Sequence, residues 1–194
     1  MTGQDAGVKP GGRFRPGLPN WKVVDEWEWD QFAHATSYAT GGLLVAQMMV
    51  NNWDLKSSNN KVYEIADTTA GRRRVYVVRD VGASFGSNKQ PRWLNWLGIR
   101  GGQGSKNDLA DFEASAFIDG VDEEGYVDFA YRGPNEWAVS KITPAHVRWT
   151  ANLMARISNR QWQDAFRAGG YTQEQSTRCI AKLKERIAQG LALR

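Results

Sequence analysis

Residues 40–82 decide the fold of this chain, and they read T-G-G-L-L-V-A-Q-M-M-V-N-N-W-D-L-K-S-S-N-N-K-V-Y-E-I-A-D-T-T-A-G-R-R-R-V-Y-V-V-R-D-V-G. The first part of this stretch, residues 40–50, is mostly apolar. A run of this length and composition predicts a helix that lies deep in the core. A polar loop, residues 51–60, follows it directly, and polar loops that follow buried elements often carry function.

Two short runs after this loop are rich in β-branched and aromatic residues. They are residues 61–65 (K-V-Y-E-I) and 74–78 (R-V-Y-V-V), separated by a stretch that contains Gly71. This pattern predicts a β-hairpin. The second strand leads into Asp80-Val81-Gly82, so the order along the chain is buried helix, polar loop, hairpin and aspartate.

The predicted fold class is α+β, mainly helical with short β-hairpins. Residues 20–194 are expected to form one domain, because a chain of this length can bury a single substantial core. Residues 1–19 are rich in glycine and proline, which is typical of a flexible leader or a severed connection. Residues 21–32, which mix aromatic and acidic side chains, are interpreted as a short helix.

Further elements are predicted after residue 82. Residues 83–107 are glycine-rich and predict a long surface segment, residues 105–114 a helix, and residues 116–132 a second hairpin. Three later helices are predicted from their N-terminal signals, which are Thr143 with Pro144, Ser158 with Gln161, and Thr172 with Gln175. His146, in the first turn of one of them, is expected at the surface, and Cys179 is expected to be packed and inert.

The composition narrows the class of protein. A hydrophobic content of 41% with nine tryptophans indicates folded material. A single cysteine excludes an internal disulfide, and two histidines disfavour a zinc site built from cysteine or histidine. The apolar run is too short to span a bilayer, and the N-terminus does not resemble a signal peptide. We therefore expect a soluble protein of a reducing, cytoplasmic compartment.

The motif D-L-K-S-S-N at residues 54–59 resembles the catalytic loop of the protein-kinase fold, in which a buried helix delivers a loop of the form D-x-K-x-x-N. In that fold a short hairpin then leads to a metal-binding D-F-G, whose counterpart here is Asp80-Val81-Gly82. The resemblance covers residues 21–86 by order of elements. It implies the C-terminal, catalytic lobe of a phosphotransferase.

The resemblance also implies a role for each site residue. Asp54 would accept or orient the proton of an acceptor hydroxyl, and Lys56 would stabilise the transferring phosphoryl group. Asn59 and Asp80 would bind Mg²⁺, and Asp80 with Gly82 would contact ATP. These residue types suit the chemistry, because a hard cation prefers oxygen ligands. The implied partners are a nucleotide and a hydroxyl acceptor of unspecified class.

Several features depart from ordinary protein kinases. Asn52 and Trp53 stand where those enzymes have histidine and arginine, the hairpin is longer, and Val81 replaces phenylalanine. In these features the chain resembles the atypical branches, such as phosphatidylinositol kinases and HipA-type toxin kinases, whose loops keep the aspartate and asparagine but vary their neighbours. The residues before the buried helix are too few for a β-rich small lobe. The resemblance therefore implies a small lobe that is missing or supplied by a separate polypeptide, and an isolated chain that is inactive.

Other interpretations stay open at this point. Asp54, Asn59 and Asp80 could each be turn residues that satisfy backbone donors, and Lys56 could be a solvated surface charge. The chain could be a catalytically inactive, kinase-like binding scaffold. A basic nucleic-acid-binding domain is the least favoured alternative, since it depends on the net charge of +4 and the cluster Arg72-Arg73-Arg74.

Overall fold

The computed structural model describes residues 20–31, 37–67, 71–87, 104–131, 133 and 135–194. These residues form helices and small antiparallel sheets, as predicted for an α+β protein. The helices are α1 (Tyr38–Met49), α2 (Leu109–Ala114), α3 (Pro144–Met154), α4 (Asn159–Ala168) and α5 (Gln173–Ala192). The strands are β1 (Trp21–Glu26), β2 (Asn60–Asp67), β3 (Gly71–Val78), β4 (Ile118–Val121) and β5 (Val127–Phe129). Short 3-10 helices span Trp29–Gln31, Ser57–Asn59 and Glu136–Val139.

A three-stranded antiparallel sheet carries the predicted hairpin. Its strand order is β1-β2-β3, with Asn60 paired to Val78 at one end of the β2-β3 ladder. The hairpin prediction is confirmed, and both strands are longer than the sequence signals indicated. The second predicted hairpin is also confirmed, as β4 pairs with β5 in a separate two-stranded sheet.

Helix α1 lies in the main hydrophobic core, as its sequence predicts. Val45 and Met49 are fully buried, and they pack in one cluster with Val147 of α3 and Ile187 of α5. Gly41 allows α1 and α3 to approach closely. A Cβ at that position would lie 2.5 Å from His146 Cδ2, well inside contact distance.

The three C-terminal helices begin where their capping signals predict. The Ser158 and Thr172 hydroxyls each accept a hydrogen bond from the backbone amide three residues on. Their own backbone amides donate to Oε1 of Gln161 and Gln175, which completes two capping boxes. Pro144 occupies the first turn of α3. Helix α4 ends at Gly169, and Gly170 follows with a φ of 83°, a conformation that glycine adopts without strain.

Two predictions are wrong. Residues 21–26 form strand β1 rather than part of a helix, because they pair with β2 through a register that breaks between Val23 and Asp25. His146 is buried rather than at the surface, because its ring packs against Gly41 and its Nδ1 accepts a hydrogen bond from the Thr143 amide, at 3.2 Å. The interpretation of residues 1–19 as a leader lies outside the described residues, as do residues 88–103 of the glycine-rich segment predicted over 83–107.

Within the described part of the chain, no helix combines the length and apolar character needed to cross a membrane.

Candidate functional site

Two asparagines, Asn51 and Asn52, follow helix α1 and begin the site loop. We define the site loop as residues 51–59, because β2 begins at Asn60. Asn51 has a φ of 58°, in the left-handed region that asparagine tolerates better than most residues. Asn52 is fully buried, and its Nδ2 donates to the Gln47 Oε1 of α1 at 2.7 Å. Its Oδ1 accepts the Asp54 amide at 3.3 Å. The buried asparagine thus fixes the direction in which the loop leaves the helix.

Asp54, Lys56 and Asn59 are brought into direct contact. The Lys56 ammonium lies 3.1 Å from Asp54 Oδ1, and the Asp54 side chain is only 21% exposed. Asn59 Nδ2 donates to the Asp54 carbonyl at 3.3 Å and lies 3.5 Å from its Oδ2. With its amide nitrogen turned toward Asp54, Asn59 has its Oδ1 left as the oxygen that could bind a cation.

Leu55, between Asp54 and Lys56 in the chain, is held by contacts with distant residues. The Leu55 side chain is 1% exposed, and its carbonyl accepts hydrogen bonds from Trp29 Nε1 and Asn135 Nδ2, both at 2.7 Å. Asn135 has a φ of 57°, so its backbone also adopts a left-handed conformation. Two donors from distant parts of the chain thus fix the middle of the site loop.

Tyr131 packs against the site loop, close to the Asp54 carboxylate. Its hydroxyl donates to the Trp53 carbonyl at 3.0 Å. Burial first, and the neighbouring Asp54 carboxylate second, raise the pKa of Tyr131 far above its ordinary value. The phenol therefore stays neutral and serves as a hydrogen-bond donor. Gly133 leaves room for it, since a Cβ there would lie 2.6 Å from the Tyr131 hydroxyl.

Asp80 begins a second loop beside the site loop, which we call the Asp80 loop (residues 80–86). The Arg79 amide donates to the Asn59 carbonyl at 2.8 Å, so strand β3 delivers Asp80 next to Asn59. Asp80 Oδ1 accepts the Gly82 amide at 3.0 Å. This bond is an Asx turn, the local structure expected of a capping aspartate.

Three hydrogen bonds join the Asp80 loop to the start of the site loop. Asn51 Nδ2 donates to the Gly86 carbonyl at 2.6 Å. The Phe85 amide donates to the Val50 carbonyl at 2.8 Å, and the Trp53 amide donates to the Ala83 carbonyl at 3.4 Å. The two loops therefore contact each other at residues 51–53 and 83–86, and Arg79, next to Asp80, contacts Asn59.

Buried polar atoms without a hydrogen-bond partner are concentrated in this region. Among the described residues there are four such side-chain atoms, namely Asp54 Oδ1, both amide atoms of Asn60, and Arg186 Nε. The charge of Asp54 Oδ1 is paired with the Lys56 ammonium at 3.1 Å, so the two amide atoms of Asn60 and Arg186 Nε are the atoms left without any polar partner in this set. Leaving such groups unsatisfied costs about 1–3 kcal/mol each, and sites that tolerate this cost are often functional.

The site offers oxygen ligands from two adjacent loops, together with the Lys56 ammonium that pairs with Asp54. Asn59 and Asp80 supply an amide oxygen and a carboxylate, which is a donor set that suits Mg²⁺ in company with substrate phosphates and water. Within the described residues, no group of three or more histidine, cysteine, aspartate or glutamate side chains could hold a metal by itself. A cation here would therefore depend on phosphate oxygens for the rest of its shell.

Several residues of the site were not found from the sequence. Asn135 and Tyr131 come from a segment about eighty residues further along the chain, and Trp29 precedes the buried helix. The only local signal was the turn-forming Gly133-Pro134-Asn135. Asn51 and Asn52 stood in the predicted loop, but nothing in their spacing indicated that their amides would be structural.

A scan against protein-family models, a search of curated proteins and a search of solved structures each returned no match for this chain.

Proposed function

We propose that this chain is the catalytic lobe of a kinase-like phosphotransferase of an atypical class. The observation that carries the proposal is the side-by-side placement of the site loop and the Asp80 loop, with Asp54 contacting Lys56 and Asn59 directly. If Asp54, Asn59 and Asp80 were only turn residues, each could satisfy its own backbone without the two loops being adjacent. The order buried helix, site loop, hairpin and aspartate adds a second line of support.

Each side chain has a chemical task in this proposal. Asp54 takes the proton of the acceptor hydroxyl as that oxygen bonds to the γ-phosphorus of ATP and the bond to the departing ADP breaks. Lys56, already held by Asp54, offers its ammonium to the equatorial oxygens of the transferring group. Asn59 and Asp80 would hold Mg²⁺, which neutralises charge on the phosphates when it is bound. The acceptor class remains open, because loops without a general code choose it.

A completing small lobe is part of this proposal. Ordinary kinases cover the nucleotide with a β-rich lobe that carries a lysine. We propose that a separate polypeptide or another part of a longer protein supplies it, and that the chain alone binds nucleotide without turning it over.

Calorimetry with Mg²⁺ and ATP tests the proposal on the isolated chain. We expect measurable binding by the wild type, and binding at least about tenfold weaker in Asp80→Asn, which keeps the side-chain shape and removes the charge. Glu123→Gln is the matched control, because it removes one exposed carboxylate in the turn between β4 and β5. Equal affinities in all three proteins, or no heat at all with the wild type, would end the assignment.

A second candidate function, a non-catalytic binding scaffold, is favoured by apolar side chains on the three-stranded sheet. Val23 and Val24 of β1 are 43% and 39% exposed, and Tyr76 of β3 is 48% exposed. Exposed apolar side chains of this size can contribute to an interaction surface. The same calorimetry separates the two functions, since a scaffold predicts no Mg²⁺-dependent ATP binding that responds to Asp80.

A further inference from the structure

Arg186, in the middle of helix α5, is a buried cation whose partners are neutral oxygens. Its side chain is fully buried, and its guanidinium donates to the carbonyls of Met48 and Met49 at 3.1 and 2.9 Å. It also stacks over the Phe112 ring, with 4.6 Å from Cζ to the ring centroid. Met48 and Met49 are the last residues of α1, so the cation lies at the negative end of the helix that delivers the site loop.

The second branch of the guanidinium reaches Ser115. Arg186 Nη2 donates to Ser115 Oγ at 2.7 Å and to the Ser115 carbonyl at 3.2 Å. The same hydroxyl oxygen lies 3.2 Å from Asn51 Nδ2, which donates to it. Asn51 is the residue that also holds the Gly86 carbonyl. A continuous path of hydrogen bonds thus runs from α5 through Ser115 to the junction of the two loops.

Burying a charge without an opposite charge is costly, so this arrangement needs a compensating gain. Burial lowers the pKa of Arg186 to about 10, which still leaves the guanidinium charged at neutral pH. The two amino groups of a rigid guanidinium reach α1 and residue 115 at once, a geometry that the single ammonium of lysine does not offer. These bonds converge on one place in the fold, where the start of the site loop meets the end of the Asp80 loop.

We propose that Arg186 is a positioning residue, which acts through Ser115 and Asn51 to hold the site loop and the Asp80 loop in register. The proposal rests on the proposed function for its catalytic meaning. Its structural content, that one buried network couples the two loops, stands on the hydrogen bonds alone.

Hydrogen exchange followed by mass spectrometry tests the coupling. Ser115→Ala removes the relay hydroxyl and leaves the arginine in place, while Arg186→Met removes the cation. We expect peptides covering residues 50–55 and 81–87 to exchange at least about tenfold faster in both variants, with α4 unchanged. Arg178→Met is the matched control, because Arg178 also reaches from α5 to α2, where it pairs with exposed Glu113. It should leave both loops unchanged.

Two results would overturn the coupling. One is unchanged exchange in both loops in the Ser115→Ala variant, which is the milder change if Arg186→Met does not fold. The other is acceleration of α4 by the same factor as the loops, since that indicates general loosening.

Binding of Mn²⁺, followed by its electron paramagnetic resonance signal in the presence of ATP, gives a readout beyond structure. Loops out of register should bind the ion at least about fivefold more weakly in Ser115→Ala, with Arg178→Met at the wild-type affinity. Wild-type affinity in Ser115→Ala would contradict the positioning role. If the wild type itself binds no Mn²⁺, the proposed function fails, and the exchange data alone decide the coupling.

Discussion

Asp54 shows how neighbours change what a single residue can do. In isolation an aspartate in a loop is a turn former, and the Asp80 side chain does form such a turn with Gly82. Asp54 differs because its carboxylate is largely buried, faces Lys56, and lies near a neutral Tyr131. A charge held in this way can interact more strongly with an ammonium group than it would in water.

Asn135 allows two contributions of one residue to stability to be measured separately, namely its left-handed backbone and its side-chain bond to the Leu55 carbonyl. Asn135→Gly keeps the left-handed backbone free of strain and removes the bond to Leu55. Asn135→Ala removes the same bond and places a Cβ in a left-handed conformation, which costs about 1–2 kcal/mol more. We expect urea denaturation to rank the stabilities as wild type, then glycine variant, then alanine variant. An alanine variant as stable as the glycine variant would refute the assigned conformation.

Cys179 gives a prediction about pH. The thiol is 1% exposed, and burial first, with Glu113 second, raises its pKa from 9.0 to about 11. The folded protein therefore keeps this proton between pH 9 and 11 while the unfolded chain loses it. The resulting contribution to stability is complete below pH 9 and is lost as the pH rises toward 11.

Alkylation by iodoacetamide at pH 9 measures the same property. Because the thiolate is the reactive form, we expect the native thiol to react about a hundredfold more slowly than the thiol in urea. Equal rates in the two states would contradict the burial of Cys179.

Among the elements, the contact between α1 and α3 is the tightest test of packing. Replacing a glycine by alanine inside a helix usually stabilises it by about 1 kcal/mol. Gly41→Ala should do the opposite, because its new methyl group would lie 2.5 Å from the buried His146 ring. We expect a loss of about 1–3 kcal/mol in the free energy of unfolding, measured by urea denaturation.

Gly120→Ala in strand β4 is the control, because a Cβ there meets nothing within 4 Å. It should change the stability little. A Gly41→Ala variant more stable than the wild type would show that the two helices lie further apart than described.

The elements also show which parts of the fold the sequence can predict. Helix α1, both hairpins and the capped helices α4 and α5 have local signals, such as apolar periodicity or a capping box, and these were predicted. Strand β1 was missed because its two faces are not distinguished by alternating polarity. Residues 22–26 are all exposed, and the bulge near Val24 interrupts the register. Its identity is set by pairing with β2, which lies some forty residues away in sequence.

The candidate site divides in the same way. Asp54, Lys56, Asn59 and Asp80 could be proposed from the resemblance to the kinase catalytic loop, because the loop and the hairpin that carry it are contiguous in sequence. The hydrogen bonds that hold them could not, since Asn135 and Arg186 come from 80 and 137 residues away in chain order. Contacts over such separations depend on tertiary packing that one sequence does not reveal.

At the scale of the whole molecule, the helical half serves as a support for the two loops. Helix α5 packs against α1, α2, α3 and α4, and through Arg186 it reaches the end of α1. Phe85 of the Asp80 loop packs edge-on against Phe112 and Phe166, which ties that loop to a second hydrophobic cluster. The helices thus hold both loops through packing and hydrogen bonds, and sites built on packed elements keep their side chains in place more precisely than sites on unsupported loops.

The central claim is that both loops bind one divalent ion together with a nucleotide. The most direct measurement is nuclear magnetic resonance of the ¹⁵N-labelled chain with substoichiometric Mn²⁺ and ATP, because the ion broadens the signals of nearby amides. The account predicts that the amides of Asn59, Asp80 and Gly82 broaden together, while those of residues 122–124 in the acidic turn stay sharp. Broadening that reaches only one of the two loops, or that is strongest at the acidic turn, would contradict it.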